Sequence, residues 1–273
     1  MTTILLSIVV LGVLGGVFGA LLAFASRIFY VEVDPRQTEV RGVLPGANCG
    51  GCGFPGCDGY AAAVAAGEAP CNRCVVGGGP VAAQISEIMG VSADAAEKQV
   101  AFVSCGCKEG HVEMRFNYTG PQDCQAAMLF GGRSNKTCTF ACIGLGNCVR
   151  ACKFDAMHIV DGIAKVDRYN CVGCGACADA CPKSIIKMLP ETQMIMPACS
   201  SRDKGARVMK ICEAGCIGCM KCQRECPSGA IVVKDNLAEV EIDKCVQCGH
   251  CSDVCPRHII PYFGKTRRLE KEA

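Results

Sequence analysis

The most constraining feature of this 273-residue sequence is a cysteine pattern that recurs 74 residues further along the chain. The cysteines of the first copy are Cys138, Cys142, Cys148, Cys152, Cys171, Cys174, Cys177 and Cys181. Those of the second copy are Cys212, Cys216, Cys222, Cys226, Cys245, Cys248, Cys251 and Cys255. So many matches in one register indicate that a single folding unit was duplicated.

The spacing within each copy is that of bacterial two-cluster ferredoxins. Their signature is C-x2-C-x2-C-x3-C-P, in which the fourth cysteine binds the other cluster. Three motifs match it fully: Cys171–Pro182, Cys216–Pro227 and Cys245–Pro256. The crossed rule predicts three [4Fe–4S] ligand sets, which are Cys171, Cys174, Cys177 with Cys152, then Cys216, Cys219, Cys222 with Cys255, and Cys245, Cys248, Cys251 with Cys226.

The motif that begins at Cys138 departs from this rule. Leu145 stands where the second copy has Cys219, and Lys153 replaces the proline. The obvious substitute ligand is Cys138 itself, four residues before Cys142. We therefore predict a fourth centre, or alternatively a three-iron centre or no cluster, at Cys138, Cys142, Cys148 and Cys181.

A separate cysteine group precedes the repeat. Cys49, Cys52 and Cys57 lie in a glycine-rich loop, and either Cys71 or Cys74 follows as a distal fourth ligand. Three close thiolates and one distant thiolate suit a [4Fe–4S] centre, whereas zinc usually uses two compact pairs. The sequence thus predicts at least five clusters.

Several cysteines stay outside these sets: Cys71, Cys105, Cys107, Cys124, Cys199 and Cys212. They are relics of the duplication, buried apolar thiols, or ligands of a sixth cluster. The sequence does not choose among these three interpretations.

The first residues predict a membrane anchor. The uncharged run from Ile4 to Ala25 is long enough for a transmembrane helix. A signal peptide is the alternative, but residues 1–3 contain no Lys or Arg and the run is longer than a usual signal core. Arg27, Arg36 and Arg41 all follow the run, so the cysteine-rich part should face the cytoplasm.

Charge and residue types limit the function. A formal net charge of +2 gives no reason to expect nucleic-acid binding. No acid–base pair or nucleophile stands out, so we expect no complete active site in this chain. Lys265, Arg267 and Arg268 form a small cationic cluster near the end, where an acidic partner would dock.

These patterns predict an α+β fold in which one transmembrane helix precedes a small [4Fe–4S] module and tandem bacterial ferredoxin-like domains, each with two [4Fe–4S] clusters. Strand–turn–strand patterns support it, at 157–166 around Asp161-Gly162 and at 231–233 with 240–242. The expected divisions are an anchor over 1–27, a cluster module over 33–90, a linker with a helix over 91–133, ferredoxin-like domains over 134–198 and 199–265, and a charged tail over 266–273.

The combination of anchor, cluster module and cassettes resembles the B subunit of the Rnf complex. The specific part is Asn48-Cys-Gly-Gly-Cys-Gly-Phe-Pro-Gly-Cys57 followed by Asn72-Arg-Cys74. The resemblance implies that Cys74 is the distal ligand of the first centre. It also implies a complex of the bacterial cell membrane with ferredoxin:NAD⁺ oxidoreductase activity that translocates sodium ions or protons.

In such a complex this chain would be an electron relay. It would take electrons from reduced ferredoxin and pass them to membrane partners, which by resemblance are the A, C, D, E and G subunits. Chemistry at the nicotinamide would belong to the C subunit. The alternatives are a peripheral polyferredoxin component of a hydrogenase or formate dehydrogenase and, from another class, a zinc-binding scaffold.

Overall fold

A computed structural model of the chain describes residues 2–29, 34–92, 97–130 and 134–263. Its helices are α1 Thr2–Ile28, α2 Pro35–Val43, α3 Gly56–Ala65, α4 Gly78–Met89, α5 Cys124–Phe130, α6 Asn147–Ala151, α7 Ala176–Asp179, α8 Gly205–Ile211, α9 Lys221–Arg224 and α10 His250–Asp253. Its strands are β1 Gln99–Val103, β2 Met157–Val160, β3 Ile163–Val166, β4 Ile186–Pro190, β5 Ile231–Lys234 and β6 Leu237–Val240. This mixture of helices and short strands confirms the predicted α+β class.

Helix α1 is one continuous apolar helix of 27 residues. Its stretch Val9–Ile28 has a mean hydropathy of 2.3, and none of that stretch is buried against the rest of the protein. A helix of this length and composition is able to cross a bilayer. The exposed apolar side chains of α1 are therefore shielded from water only in a membrane or against another helix.

Helices α2, α3 and α4 enclose a small core next to the first cysteine group. Val40, Tyr60, Val64 and Ile85 are almost completely buried there. The Tyr60 hydroxyl donates a hydrogen bond of 2.8 Å to the carbonyl oxygen of Pro70. This bond fixes the loop that carries Cys71 and Cys74 against α3.

The first ferredoxin-like unit contains the predicted hairpin. Strands β2 and β3 are antiparallel, with Met157 opposite Val166 and Val160 opposite Ile163. Asp161 and Gly162 form the turn with φ of 50° and 69°. Left-handed conformations at both central residues are those of a tight hairpin turn, so the prediction is confirmed.

The second unit repeats this hairpin at the same 74-residue offset. Strands β5 and β6 pair with Lys234 opposite Leu237, and Asp235 and Asn236 form the turn. We expected the second strand at 240–242, and its position was wrong. Asp and Asn tolerate the left-handed conformation, so a two-residue turn closes the hairpin three residues earlier.

Segment 91–133, which we expected to be a linker with a helix, holds α5 and also a strand. Strand β1 is antiparallel to β4 of the first unit, with Val100 opposite Leu189. A single antiparallel bridge between Ile195 and Tyr262 makes a similar closure in the second unit. Phe102 and Leu189 pack in one cluster with Met196, so β1 also takes part in the contact between the units.

Candidate metal centres

Cysteines gather around five small cavities of the described structure. Their empty volumes lie between about 300 and 360 Å³, and each is lined by at least four thiols. Backbone bends around glycine shape the walls of these cavities. The arrangement holds thiolates around a space instead of pairing them as disulfides, because every described cysteine is free.

The first cavity belongs to the module of α2, α3 and α4. It is lined by Cys49, Cys52, Cys57 and Cys74. Cys71 lies in the adjacent apolar core and is not part of that wall. The structure therefore brings together the four residues that the resemblance implied, with Cys74 as the distal thiol.

The loop around this cavity is fixed by Asn48 and Gly56. The Asn48 side-chain oxygen accepts a hydrogen bond of 2.8 Å from the backbone N–H of Cys57. Gly56 has a φ of 90°, and a Cβ there would stand 2.9 Å from that same oxygen.

Burial raises the pKa of the Cys74 thiol, and the charges of the neighbouring thiols add to this effect. Iron bound to the sulfurs would compensate that accumulated negative charge.

The second cavity brings together the cysteines that the crossed rule predicts for one centre of the first unit. It is lined by Cys152, Cys171, Cys174 and Cys177. The backbone N–H groups of Ala156 and Ala101 donate to the Sγ atoms of Cys152 and Cys171, each at 3.4 Å. N–H···S bonds of this kind stabilise thiolate ligands and tune cluster potentials.

The third cavity contains Cys124 where the sequence predicts Cys138. It is lined by Cys124, Cys142, Cys148 and Cys181, whereas Cys138 lines a different cavity. Burial, followed by the charges of nearby Cys142, Cys181 and Cys124, raises the pKa of Cys148 to about 12. By its position, Cys124 thus corresponds to the thiol that is missing at Leu145.

The reason lies in how α5 meets α6. Cys124 begins α5, and its backbone N–H donates a hydrogen bond of 2.8 Å to the side-chain oxygen of Asn147, the first residue of α6. The Asn147 side chain in turn donates to Asp123 at 2.9 Å. Leu145 packs against the small apolar cluster that contains Cys124, Ala127 and Ile143. Sequence reasoning gave Cys124 only as the next candidate after Cys138, because Cys124 lies 18 residues before Cys142 and in no motif.

The second unit repeats the regular arrangement. Its cavity is lined by Cys216, Cys219, Cys222 and Cys255, the first set that the crossed rule predicts there. Burial and, after it, the charges of Cys245, Cys226 and Cys248 raise the pKa of Cys251 to about 11. These four thiols therefore also lie close together. The Gln193 side chain donates a hydrogen bond of 3.8 Å to the Cys245 sulfur.

One more thiol-lined cavity lies where the two units meet. Its walls include Cys105, Cys107, Cys138, Cys199 and Cys212. Four of these five cysteines were left without a role by the sequence, and Cys138 was assigned elsewhere. Among the unassigned cysteines, Cys71 is the one that none of the five cavities includes.

The separation of these thiols suits four-iron clusters better than single ions. Zinc, with bonds of about 2.3 Å, draws four thiolates to within about 4 Å of one another. Among the described residues, no group of three or more His, Cys, Asp or Glu side chains is close enough to share one ion. A [4Fe–4S] cluster binds each thiolate through a different iron and needs a cavity between them. The observed cavities provide that space.

The cluster module contacts the first ferredoxin-like unit directly. A Cβ built on Gly51 would stand 3.0 Å from the Cα and carbonyl oxygen of Cys174. Cys49 is also close enough to Cys174 for its charge to raise the Cys174 pKa, after the larger effect of burial. The first two cavities are therefore neighbours.

Comparisons with known proteins agree with this architecture. A family model described as "Putative Fe-S cluster" matches residues 44–76. Two models described as "4Fe-4S dicluster domain" match residues 215–260, and residues 141–185 with 170–230. The chain therefore contains multiple [4Fe–4S] clusters, and the two repeats are ferredoxin-type cassettes.

Similar proteins align over nearly the whole chain. The B subunit of the Na⁺-translocating ferredoxin:NAD⁺ oxidoreductase complex of Acetobacterium woodii is 44% identical over 95% of this chain and 78% of its own length. The B subunit of the proton-translocating ferredoxin:NAD⁺ oxidoreductase complex of Clostridium ljungdahlii is 42% identical over 100% and 97%. The B subunit of the ion-translocating oxidoreductase complex of Methanosarcina acetivorans is 42% identical over 93% and 96%. The chain belongs to the family of B subunits of the Rnf ion-translocating oxidoreductase complex.

Proposed function

We propose that this chain carries single electrons from reduced ferredoxin to the membrane subunits of a ferredoxin:NAD⁺ oxidoreductase complex. The observation that supports the proposal is the contiguity of its thiol-lined cavities, which follow one another from the cluster module to the C-terminal cassette. Relatives that are 44% and 42% identical to this chain are named for ferredoxin:NAD⁺ oxidoreductase complexes.

Adjacent cavities are linked by short contacts. Cys49 of the module lies near Cys174 of the first cassette. Within that cassette, Cys177 of one cavity is close enough to Cys148 of the other to affect its pKa. The backbone N–H of Cys142 then donates to the Cys105 sulfur at 3.3 Å. Electron tunnelling falls steeply with distance, so a series of close neighbours favours a relay.

We assign the ligands from these groupings. The sets are Cys49, Cys52, Cys57, Cys74; Cys152, Cys171, Cys174, Cys177; Cys124, Cys142, Cys148, Cys181; Cys216, Cys219, Cys222, Cys255; and Cys226, Cys245, Cys248, Cys251. Clusters bound there supply one-electron transfer without bond making or proton movement. The chain itself holds the thiolates, excludes water and directs backbone N–H groups at the sulfurs.

The anchor places this relay at the membrane. With Arg27, Arg36 and Arg41 all on one side of the apolar run, a single pass leaves the cassettes in the cytoplasm. Soluble ferredoxin is found there, and thiolates stay reduced in that compartment. The membrane recipients of the electrons are, by resemblance, other subunits of the complex.

Entry of electrons is expected at the C-terminal cassette. Residues 200–273 carry 13 Lys and Arg against 10 Asp and Glu. Lys265, Arg267 and Arg268, the densest cationic group, lie outside the described residues. Soluble ferredoxins of this type are generally acidic, so this end would attract them.

The test is rapid anaerobic mixing of the membrane-extracted protein with reduced ferredoxin, followed by the visible iron–sulfur absorbance. Reversing Lys265, Arg267 and Arg268 to Glu should slow reduction at low salt on the order of tenfold. The difference should shrink at high salt, where charges are screened. An unchanged low-salt rate would remove this docking site, and a wild-type protein that ferredoxin does not reduce would refute the function.

A further inference from the structure

Two thiols of the second cassette reach the protein surface. Among the cysteines of the described residues, Cys219 and Cys248 are the exposed ones. Val246, two residues before Cys248, is 66% exposed. An electron that comes from another protein has to enter where a cluster lies near the surface, because tunnelling falls steeply with distance. The second cassette therefore offers two points of entry.

The duplication shows what covers the equivalent of Cys248 in the first cassette. That equivalent is Cys174, 74 residues earlier in the chain. Its backbone lies against the cluster module, since a Cβ built on Gly51 would stand 3.0 Å from the Cα and the carbonyl oxygen of Cys174. Gly51 lies in the loop between Cys49 and Cys52, which lines the cavity of the module. One iron–sulfur unit thus rests on another at this position.

The surroundings of these two thiols differ in exposure between the copies. Three equivalent positions of the first cassette are half-buried: Val172, Cys174 and Ala176. Their counterparts in the second cassette are all exposed, and so is the proline at the position of Lys153. We call these four exposed residues the Cys248 face: Pro227, Val246, Cys248 and His250. The second cassette therefore leaves open the surface that the module covers on the first.

The Cys248 face has the composition of a small docking surface. Val246 provides an exposed apolar side chain next to the thiol, and Pro227 adds a second apolar group. The polar side is formed by His250, whose Nε2 lies 3.8 Å from the Glu225 carboxylate. An apolar centre with a polar rim is typical of protein interfaces, and weak electron-transfer encounters need only a small one.

The cationic end of the chain leaves from the same side of the protein. The backbone N–H of Phe263 donates to the Met194 carbonyl oxygen at 2.9 Å, and the Met194 N–H donates to the Gln247 side chain, beside Cys248, at 2.8 Å. Three cationic residues follow Phe263 by two to five positions: Lys265, Arg267 and Arg268. Five residues span at most about 18 Å. Positive charge within that reach of the Cys248 face favours an acidic partner.

Cys219 is the alternative entry point, and the repeat distinguishes it from Cys248. Its equivalent in the first cassette is Leu145, which packs against the apolar cluster that contains Cys124 of α5. Helix α5 contributes a thiol to the cavity of that same cassette and brings no further iron–sulfur unit. Of the two exposed thiols, Cys248 is thus the one whose equivalent meets a second iron–sulfur unit.

We propose that reduced ferredoxin docks on the Cys248 face and takes there the position that the cluster module takes on the first cassette. This inference rests on the proposed function and names the surface at which the relay is entered. One electron leaves the ferredoxin cluster, which is oxidised, and reduces the cluster that we assign to Cys226, Cys245, Cys248 and Cys251. No bond is made or broken, and no proton moves.

Rapid anaerobic mixing of the full-length, membrane-extracted protein with reduced ferredoxin tests the face. Val246→Glu places a carboxylate at its centre and should lower the second-order rate of cluster reduction about tenfold. Met220→Glu is the matched control, because Met220 is 50% exposed beside the other exposed thiol, Cys219. Its rate should stay within about twofold of the wild-type rate. Dithionite, a small reductant that needs no docking surface, should reduce all three proteins alike, and their iron contents should be equal.

The same rates separate failure of the docking face from failure of the proposed function. A wild-type protein that ferredoxin does not reduce would refute the proposed function, and the docking face with it. If ferredoxin reduces the wild type and Val246→Glu at the same rate, the Cys248 face is not the docking site, although the relay stands. A slower rate in Met220→Glu alone would place the entry at Cys219.

Photo-crosslinking provides a second measurement, which decides the matter if Val246→Glu loses iron. A benzophenone amino acid replaces Val246 or, as the control, Met220, and each protein is irradiated with oxidised ferredoxin. Adducts with ferredoxin should form from position 246 in clear excess over position 220, and the yield should fall at high salt. Equal yields from both positions, or no adduct from position 246, would overturn the proposed docking face.

Discussion

The Lys153 ammonium group donates a hydrogen bond of 3.1 Å to the backbone carbonyl oxygen of Asn48. Lys153 stands where the regular ferredoxin motif has proline, and Asn48 immediately precedes the first thiol of the cluster module. A proline side chain has no donor with which to make this contact. The departure from the motif therefore joins the first cassette to the module, at the same contact where Gly51 meets Cys174.

The close approach of Gly51 to Cys174 predicts a specific effect of substitution. In Gly51→Val the side chain would need space now filled by the Cys174 backbone and the Val75 side chain, each 3.0 Å from an ideal Cβ. Overpacking of this kind costs about 1–3 kcal/mol, which is enough to displace the module from the cassette. Iron content should stay at the wild-type value, because no thiol is removed.

The measurement is EPR spectroscopy of the fully reduced protein. Magnetic interaction between the module cluster and its nearest cassette neighbour should broaden the wild-type spectrum and weaken in Gly51→Val. Gly42→Ala is the control, since a Cβ at Gly42 meets nothing within 4 Å. Identical spectra for all three proteins would show that Gly51 does not hold the module in place.

Crossed ligation in the second cassette predicts opposite effects for two cysteines. Cys255 lines the cavity of Cys216, Cys219 and Cys222, although it belongs to the other motif. Cys255→Ala should therefore remove or convert that cluster. Cys226→Ala should damage the cluster of the other motif in the same cassette and leave the Cys216 set with all four ligands.

Site-specific Mössbauer or EPR signals of the two variants distinguish these outcomes. Each should lose about one to four irons while the signal of the intact cluster persists. If Cys226→Ala abolished the signal that Cys219→Ala also abolishes, ligation would follow each motif in sequence and the crossed assignment would be refuted.

The position of Cys124 predicts a rescue. Cys124→Ala should cost the cluster of Cys142, Cys148 and Cys181 about four irons, or convert it to a three-iron form. Adding Leu145→Cys restores a thiol at the regular motif position, and Leu145 already packs against the apolar cluster that contains Cys124. The double variant should therefore recover iron. If the Cys124→Ala variant kept the wild-type iron content, the fourth ligand would have to be another thiol.

The exposed apolar surface of α1 predicts that the anchor is separable. Deletion of residues 1–27 removes most of a helix that buries none of its membrane-length stretch and contains no cysteine. The shortened protein should be water-soluble and keep the wild-type iron count. Sedimentation with washed membranes that lack the other subunits is the measurement. A shortened chain that still sedimented with them would reveal a second membrane contact.

The sequence alone determined the features that depend on local spacing. Regular C-x2-C-x2-C runs fix three thiols around one cluster, and the 74-residue repeat shows that the unit occurs twice. A hairpin such as β2–β3 is equally local, because Asp161-Gly162 dictates the turn. The apolar run identifies α1. The cluster module also followed from its motif, where family resemblance chose Cys74 over Cys71.

Only the tertiary structure decided the features that depend on distant segments. Cys124 lines the cavity of Cys142, Cys148 and Cys181 because α5 packs beside α6, and nothing in its neighbouring residues indicates this position. Cys105 and Cys107 meet Cys138 and Cys212 because two repeats fold against one intervening segment. Cluster ligands need only proximity in space. When a single loop provides all the ligands, a sequence motif indicates their proximity. When several segments contribute, only the packing of the chain brings the ligands together.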